Sequence, residues 1–162
     1  MFKAILWFIL HNSIHLRFPQ VKSLSTEELD QWLKHSDRPA PLLLDVRSEA
    51  EYAVSHLLGA QQINPKTTDF ASLSEVPPDT PIVTYCSVGY RSARLGDRLQ
   101  QAGFTQVQNL RGSIFQWANE GRPVYRDGVE VQQVHPYNEQ WGRLLDSSLN
   151  PKSAPTKSGL TH

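Results

Sequence analysis

A short apolar, β-branched run from Pro81 to Tyr85 passes through Cys86-Ser87-Val88-Gly89-Tyr90-Arg91-Ser92 into a segment with apolar residues at helical spacing, Ala93, Leu95, Leu99 and Ala102. Strand, polar loop and helix in that order are the repeating unit of an α/β sheet. The loop holds the only cysteine of the chain. A strand-to-helix turn points backbone N–H groups inward at the positive end of the helix, an arrangement that favours anions and activates a thiol. Arg91 adds a full positive charge at the start of that helix. The competing reading is a cysteine that packs as a small hydrophobe, the usual fate of an unpaired thiol. Packing alone calls for neither Gly89, nor a run of small polar residues, nor an arginine at a helix start. A nucleophile that receives an anion uses all three.

The same unit recurs along the chain. Gln20 to Leu24 reads as a first strand, followed by Ser25 and Glu28 as a helix capping box and by Leu29, Trp32 and Leu33 as an apolar helix face. Leu42-Leu43-Leu44-Asp45-Val46-Arg47 reads as a buried strand ending in polar residues, as strands do at the carboxyl edge of a parallel sheet, where ligands bind. Asp45 and Arg47 are therefore candidate site residues. Glu49, Glu51 and Tyr52 follow at a helix start, and the alternative for Arg47 is an internal ion pair. His56 is a candidate base by residue type only; nothing in its spacing from Cys86 requires that role, and bracing the loop His56 to Ala60 is the preferred reading. Gln61 to Ile63 is a further short strand, Lys66 to Val76 a weak helix or irregular connection, and Val107 to Leu110 the last strand. Gly103 closes the helix after Cys86. Arg111-Gly112-Ser113 turns into a helix bearing Ile114, Phe115, Trp117 and Ala118.

This alternation predicts an α/β fold of about five parallel strands flanked by helices on both faces, over residues 19–126. The chain has 162 residues, 39% of them hydrophobic, and equal numbers of acidic and basic groups, which suits one such domain with extensions and gives no sign of nucleic-acid binding. One cysteine forms no internal disulfide and offers no zinc cluster, which fits a cytoplasmic compartment. His11 and His15 share a helix face but lack a third ligand, so no metal is expected. Residues 1–18 open with an apolar run, Met1 to Leu10, too short for the roughly 20 residues of a membrane crossing. Three readings stand for it: a helix packed on this domain or on a partner, an interfacial helix in peripheral contact with a membrane, and an export signal. Residues 127–149 form an extension in which Asp127-Gly128 marks a turn, Val129 to Val134 an edge strand or extended wrap, and Tyr137 to Leu149 an amphipathic helix. Residues 150–162, rich in Pro, Ser, Thr, Lys and Gly, read as a disordered tail.

Three separated segments together resemble the single-domain rhodaneses, a sulfurtransferase family. They are Leu43 to Arg47 with Glu51-Tyr52 and His56 to Ala60; Tyr85 to Ser92; and Leu110-Arg111-Gly112 through Trp117 with Gly121 to Val124. Their order and spacing over Val21 to Tyr125 are far more specific than one cysteine loop. Ser55 stands where the family usually has a glycine, Leu58 where it has a proline, and Ser113 where it has the second of two glycines.

The resemblance implies a rhodanese-like fold and a Cys86 persulfide. Thiosulfate or a similar small anionic donor would load the sulfur, and cyanide or a thiol, small or on a protein, would accept it. Ser87 to Ser92 would cradle the sulfur through their amides, Arg91 would orient the donor, and Asp45, Arg47, Glu51 and His56 would support the loop, with no cofactor. It also implies a loop length: rhodaneses use six residues, and Arg91 is sixth from Cys86, whereas the related phosphatases and arsenate reductases use seven. A binding, regulatory or sulfur-carrier module is the second class left open.

Overall fold

The computed structural model describes residues 1–35 and 37–151. The tail expected from Asn150 lies outside the described residues from position 152 onward.

Five strands, β1 (Lys22–Leu24), β2 (Leu42–Asp45), β3 (Gln61–Gln62), β4 (Ile82–Tyr85) and β5 (Val107–Leu110), form one parallel sheet in the order β1-β5-β4-β2-β3. The central position belongs to β4, paired with β2 (Leu43 beside Val83) and with β5 (Ile82 beside Val107). All four residues of β4 are buried, which is why the strand reads as a continuous apolar run rather than an alternation.

Side chains alternate between two layers. Leu43, Val83, Tyr85 and Leu110 face a core with Leu29 and Trp32 of α2 (Thr26–His35) and Ile114, Phe115 and Trp117 of α5 (Ser113–Asn119). Leu44, Ile82 and Val107 face a second core with Leu95 and Leu99 of α4 (Tyr90–Gln101). Both faces of the sheet are thus covered, and the carboxyl end of β4 opens toward α4.

The Ser25–Glu28 capping box forms, with reciprocal bonds of 3.1 and 2.6 Å. Several boundaries differ from the sequence reading. The first strand begins at Lys22, because the Val21 amide closes a turn on the Phe18 carbonyl. Residues 66–76 hold one 3-10 turn, Ala71–Leu73, with Asp69 and Asn64 side chains taking backbone amides.

A hairpin spans the expected boundary between domain and extension, β6 (Val124–Arg126) with β7 (Val129–Val131), turning at Asp127-Gly128, where φ is positive at both residues. The helix expected over Tyr137 to Leu149 is reduced to a single turn, Glu139–Gly142, and a 3-10 turn, Ser147–Leu149. Leu144 and Leu145 are both buried in the main core. Asn119 meanwhile takes the Leu144 carbonyl (2.8 Å) and receives the Asp146 amide (2.8 Å), removing the groups that would continue the helix.

Residues Phe2–Arg17 form α1. Ile14 packs with Phe18, Val21 and Ala93, and Leu6, Trp7 and Leu10 lie against the main core. No helix among the described residues is long and apolar enough to cross a membrane.

Candidate active site

Cys86 follows the last residue of β4 and is 1% exposed. Gly89 caps α4 with φ of 119°, a value that side-chain-bearing residues rarely adopt, and its amide donates to Cys86 Sγ at 3.1 Å. Of the loop amides expected to face the sulfur, Gly89 supplies this bond. The Ser92 hydroxyl lies 3.4 Å from Sγ and 2.7 Å from Asn109 Oδ1. Asn109 is itself oriented by donating from Nδ2 to the Gly89 carbonyl at 3.0 Å. A single hydroxyl proton thus stands between Sγ and a fixed amide oxygen, within reach of a sulfur that becomes negative.

The loop is held from below by the start of α5. The Ile114 and Phe115 amides donate to the Cys86 and Ser87 carbonyls at 3.1 Å each, so amides that lack partners within their own helix fix the two loop residues. The Cys86 amide donates to Ser113 Oγ (3.1 Å), which donates onward to the Leu110 carbonyl (3.0 Å). Ser113 has φ of 49°. At this departure from the double-glycine pattern a serine bears left-handed backbone, and its hydroxyl supplies two hydrogen bonds that glycine lacks.

Arg91 does not stand free. Its guanidinium donates to both carboxylate oxygens of Glu51 at 2.9 Å and to Ser87 Oγ at 3.0 Å. It also lies 4.4 Å from the Tyr137 ring centre. Glu51 is the third residue of α3 (Glu49–Val54) and closes a capping box with Ser48. Burial opposes its ionisation, but the Arg91 and Ser48 hydrogen bonds prevail and hold its carboxyl down at about 2. Burial likewise opposes the charge on Arg91, and Glu51 outweighs it, so the guanidinium is held above its ordinary range. The anion that the loop arginine was expected to meet is, in this arrangement, a carboxylate of the same chain.

Asp45 and Arg47 pair with each other, both side chains fully buried, through bonds of 2.6 and 2.8 Å. Arg47 also reaches the Ser55 carbonyl (2.6 Å), and the Tyr85 hydroxyl donates to Asp45 Oδ2 (2.7 Å) while accepting from the Leu57 amide (3.0 Å). Burial disfavours the charge on Arg47, yet Asp45 overcomes it and raises the guanidinium further; burial pushes the Tyr85 phenol well up. This group ties the ends of β2 and β4 to the loop after α3. The internal partner of Arg47 is Asp45, and Glu51 is directed to the cysteine loop instead. His56 stacks on Tyr52 with ring centres 3.8 Å apart, and its backbone pairs with Tyr125; both contacts brace that loop.

Two aromatic residues at the site carry no local signal in the sequence. A pocket of about 140 Å³ over the thiol is lined by Cys86, Ser87, Val88, Tyr90, Arg91, Tyr137 and Trp141. Tyr137 sits at φ of 66°, held by its amide on His135 Nδ1 (2.9 Å) and by the Asn138 cap of the following turn (2.9 Å). Asn109 did leave a signal, a polar residue in the strand Val107–Leu110, but Gln108 beside it is polar too, so nothing local marked which of the two is buried. Among the described residues no three His, Cys, Asp or Glu side chains are grouped as metal ligands.

A family model described as rhodanese-like domain matches residues 25–120. The chain belongs to that family. Its rhodanese-like region is 38% identical over 104 residues to a sulfurtransferase of Allochromatium vinosum, covering 64% of this chain and 94% of that protein. It is 35% identical over 103 residues to the probable adenylyltransferase/sulfurtransferase MoeZ of Mycobacterium tuberculosis, there covering only 26% of the relative. Among solved structures, the rhodanese-like domain protein of Staphylococcus aureus superposes with a TM-score of 0.57 at 27% identity, over 66% of this chain and 99% of that one. The rhodanese-like domain of an Anabaena protein gives 0.59 at 26%, over 65% and 80%. The rhodanese-like match ends before Tyr137 and Trp141, so the two aromatics over the thiol come from outside it.

Proposed function

We propose that this protein is a rhodanese-like sulfurtransferase that carries a sulfane sulfur on Cys86. The observation that carries the reading is the environment of Sγ: a thiol at the end of the central strand, receiving the Gly89 amide at 3.1 Å with the Ser92 hydroxyl at 3.4 Å, inside a rhodanese-like domain. The Cys86 thiolate attacks the outer sulfur of a donor such as thiosulfate. A new S–S bond forms, the old one breaks, and its electron pair leaves with sulfite. The acceptor, cyanide or a thiol, then attacks the outer sulfur of the persulfide and the thiolate is restored. The Gly89 amide and the Ser92 hydroxyl stabilise the negative charge as it moves between the two sulfurs.

Arg91 enters this scheme chiefly as a positioning residue. Its charge is balanced by Glu51, and its bond to Ser87 Oγ fixes the loop. Donor attraction then falls mainly to the loop amides. With arginine sixth from Cys86, the loop has the shorter rhodanese length, which suits a single sulfur held on Cys86 better than a phosphoryl or arsenate group held within the loop. Burial of Cys86 beneath Tyr137 and Trp141 favours one second reading, a sulfur-carrier or regulatory module opened by a partner.

Intact-mass measurement before and after thiosulfate, and again after cyanide, tests the proposal alongside Cys86→Ala. The expected result is a gain of one sulfur that cyanide removes and the variant lacks. Absence of any adduct from thiosulfate, mercaptopyruvate or a persulfide donor, with the thiol reduced, would overturn the enzyme reading in favour of the module.

A further inference from the structure

Helix α1 has two apolar faces. One lies against the domain through Trp7, Leu10 and Ile14. On the other, Phe2 (75% exposed), Ile5 (52%), Phe8 (70%), Ile9 (55%) and Leu16 (79%) are open to solvent. At about 100° per residue these five fall within an arc of roughly 120°. Phe2, Ile5, Phe8 and Ile9 adjoin over the first turns, and Leu16 continues the face beyond the exposed Asn12; scattered surface hydrophobics are ordinary, but a cluster of this kind marks a surface that meets something apolar.

The charge around the stripe says what. The chain as a whole is neutral, yet residues 1–26 contain no Asp or Glu while carrying Lys3, Arg17 and Lys22. The acids nearest this end are Asp146, 3.7 Å from Lys3 across a half-exposed pair, and Glu139, which shares a groove with Lys3 and Arg143. Beside α1 runs a groove of about 490 Å³ whose lining includes His11, His15, Lys22 and Arg111 and no acidic residue. His11 is half-buried, and burial together with Arg111 lowers its imidazole to about 4, so Lys22 and Arg111 supply the positive charge of the groove at neutral pH. Two copies packed through this face would bring these cations together with no acid from the helix to pair them.

We infer that α1 is a peripheral membrane-binding element for anionic lipid, its outer stripe entering the boundary between headgroups and acyl chains while Lys22 and Arg111 engage lipid phosphate. A 16-residue helix with one face already docked on the protein lies in the interface plane rather than crossing it. The docking is adjacent to the cysteine loop: Ile14 Cδ1 is 3.5 Å from where a Cβ on Gly89 would stand, and Phe18 meets Tyr90 edge-on at 5.5 Å. The bound protein would hold the Cys86 loop next to the membrane surface. This inference does not depend on sulfur transfer.

The test is co-flotation of the full chain with vesicles of phosphatidylcholine alone and of phosphatidylcholine mixed with phosphatidylglycerol. Binding is expected on the mixed vesicles, at least about tenfold weaker on the neutral ones, and reduced by salt. Phe2→Ser with Phe8→Ser should cut partitioning by about tenfold or more. Lys22→Glu with Arg111→Glu should remove the preference for anionic lipid. Both pairs lie on exposed positions, so folded protein is checked by circular dichroism and by the thermal unfolding midpoint. Absence of binding to either vesicle, equal binding to both, or indifference to the serine pair would overturn the inference. A dimer in solution that the serine pair converts to monomer would also overturn it, assigning the face to a second copy.

Discussion

Glu51→Gln removes the negative charge from a carboxylate that receives two hydrogen bonds from Arg91, one from Ser87 Oγ and two from Ser48. The carboxyl stands at about 2 in the folded protein against 4.5 ordinarily, a difference worth about 3 kcal/mol of folding free energy. Solvent near the partly exposed Arg91 screens part of this, leaving ~2–3 kcal/mol. Because the folded value lies below the unfolded one, the contribution is complete above pH 4.5 and is lost as pH falls from there toward 2. Denaturant unfolding of the native and variant proteins across this range should show the variant ~2–3 kcal/mol less stable at neutral pH, with the two curves converging in acid as Glu51 is protonated. Other acids titrate identically in both proteins and cancel in the difference. A gap that stays constant with pH would refute the assignment of this stabilisation to the Glu51 charge. The same variant frees Ser87, so slower persulfide formation at Cys86 is expected beside the loss of stability.

Ser113→Ala keeps the left-handed backbone and loses the acceptor for the Cys86 amide, whereas Ser113→Gly loses the acceptor but relieves the backbone; unfolding midpoints should place the alanine variant ~1 kcal/mol below the glycine variant, and equal stabilities would remove strain from the account. Tyr85→Phe takes the acceptor from the Leu57 amide and leaves Asp45 Oδ2 to Arg47 alone and should cost ~2 kcal/mol in denaturant unfolding while persulfide loading of the folded protein is retained; loss of loading would place Tyr85 in the chemistry. Tyr137→Ala should open the pocket over Cys86 and speed its reaction with a bulky aromatic disulfide reagent by about tenfold, measured by absorbance; an unchanged rate would show that Tyr137 does not limit access.

The sheet was legible because its signals are local. Runs such as Ile82 to Tyr85 are apolar throughout when a strand is covered on both faces, and Ser25 with Glu28 or Asp127 with Gly128 announce a helix start and a turn through bonds and dihedrals spanning a few residues. The Cys86 loop was legible for the same reason: strand, glycine and helix start are consecutive in the chain. The extension was misread as a longer helix because Asn119, far away in sequence, captures its backbone.

By itself the sequence determined the α/β layout, the placement of one thiol at a strand-to-helix turn and the family resemblance. Only the tertiary structure decided which charges meet. Arg47 turned to Asp45 on its own strand end, Glu51 crossed to Arg91, and Tyr137 and Trp141 came from outside the rhodanese-like match to cover Cys86. Each of the last two joins residues at least 40 positions apart. A carboxylate or a ring carries no mark of its partner in its neighbours, because Coulomb energy and packing depend on distance in space, and distance is fixed only once the sheet and its helices have closed.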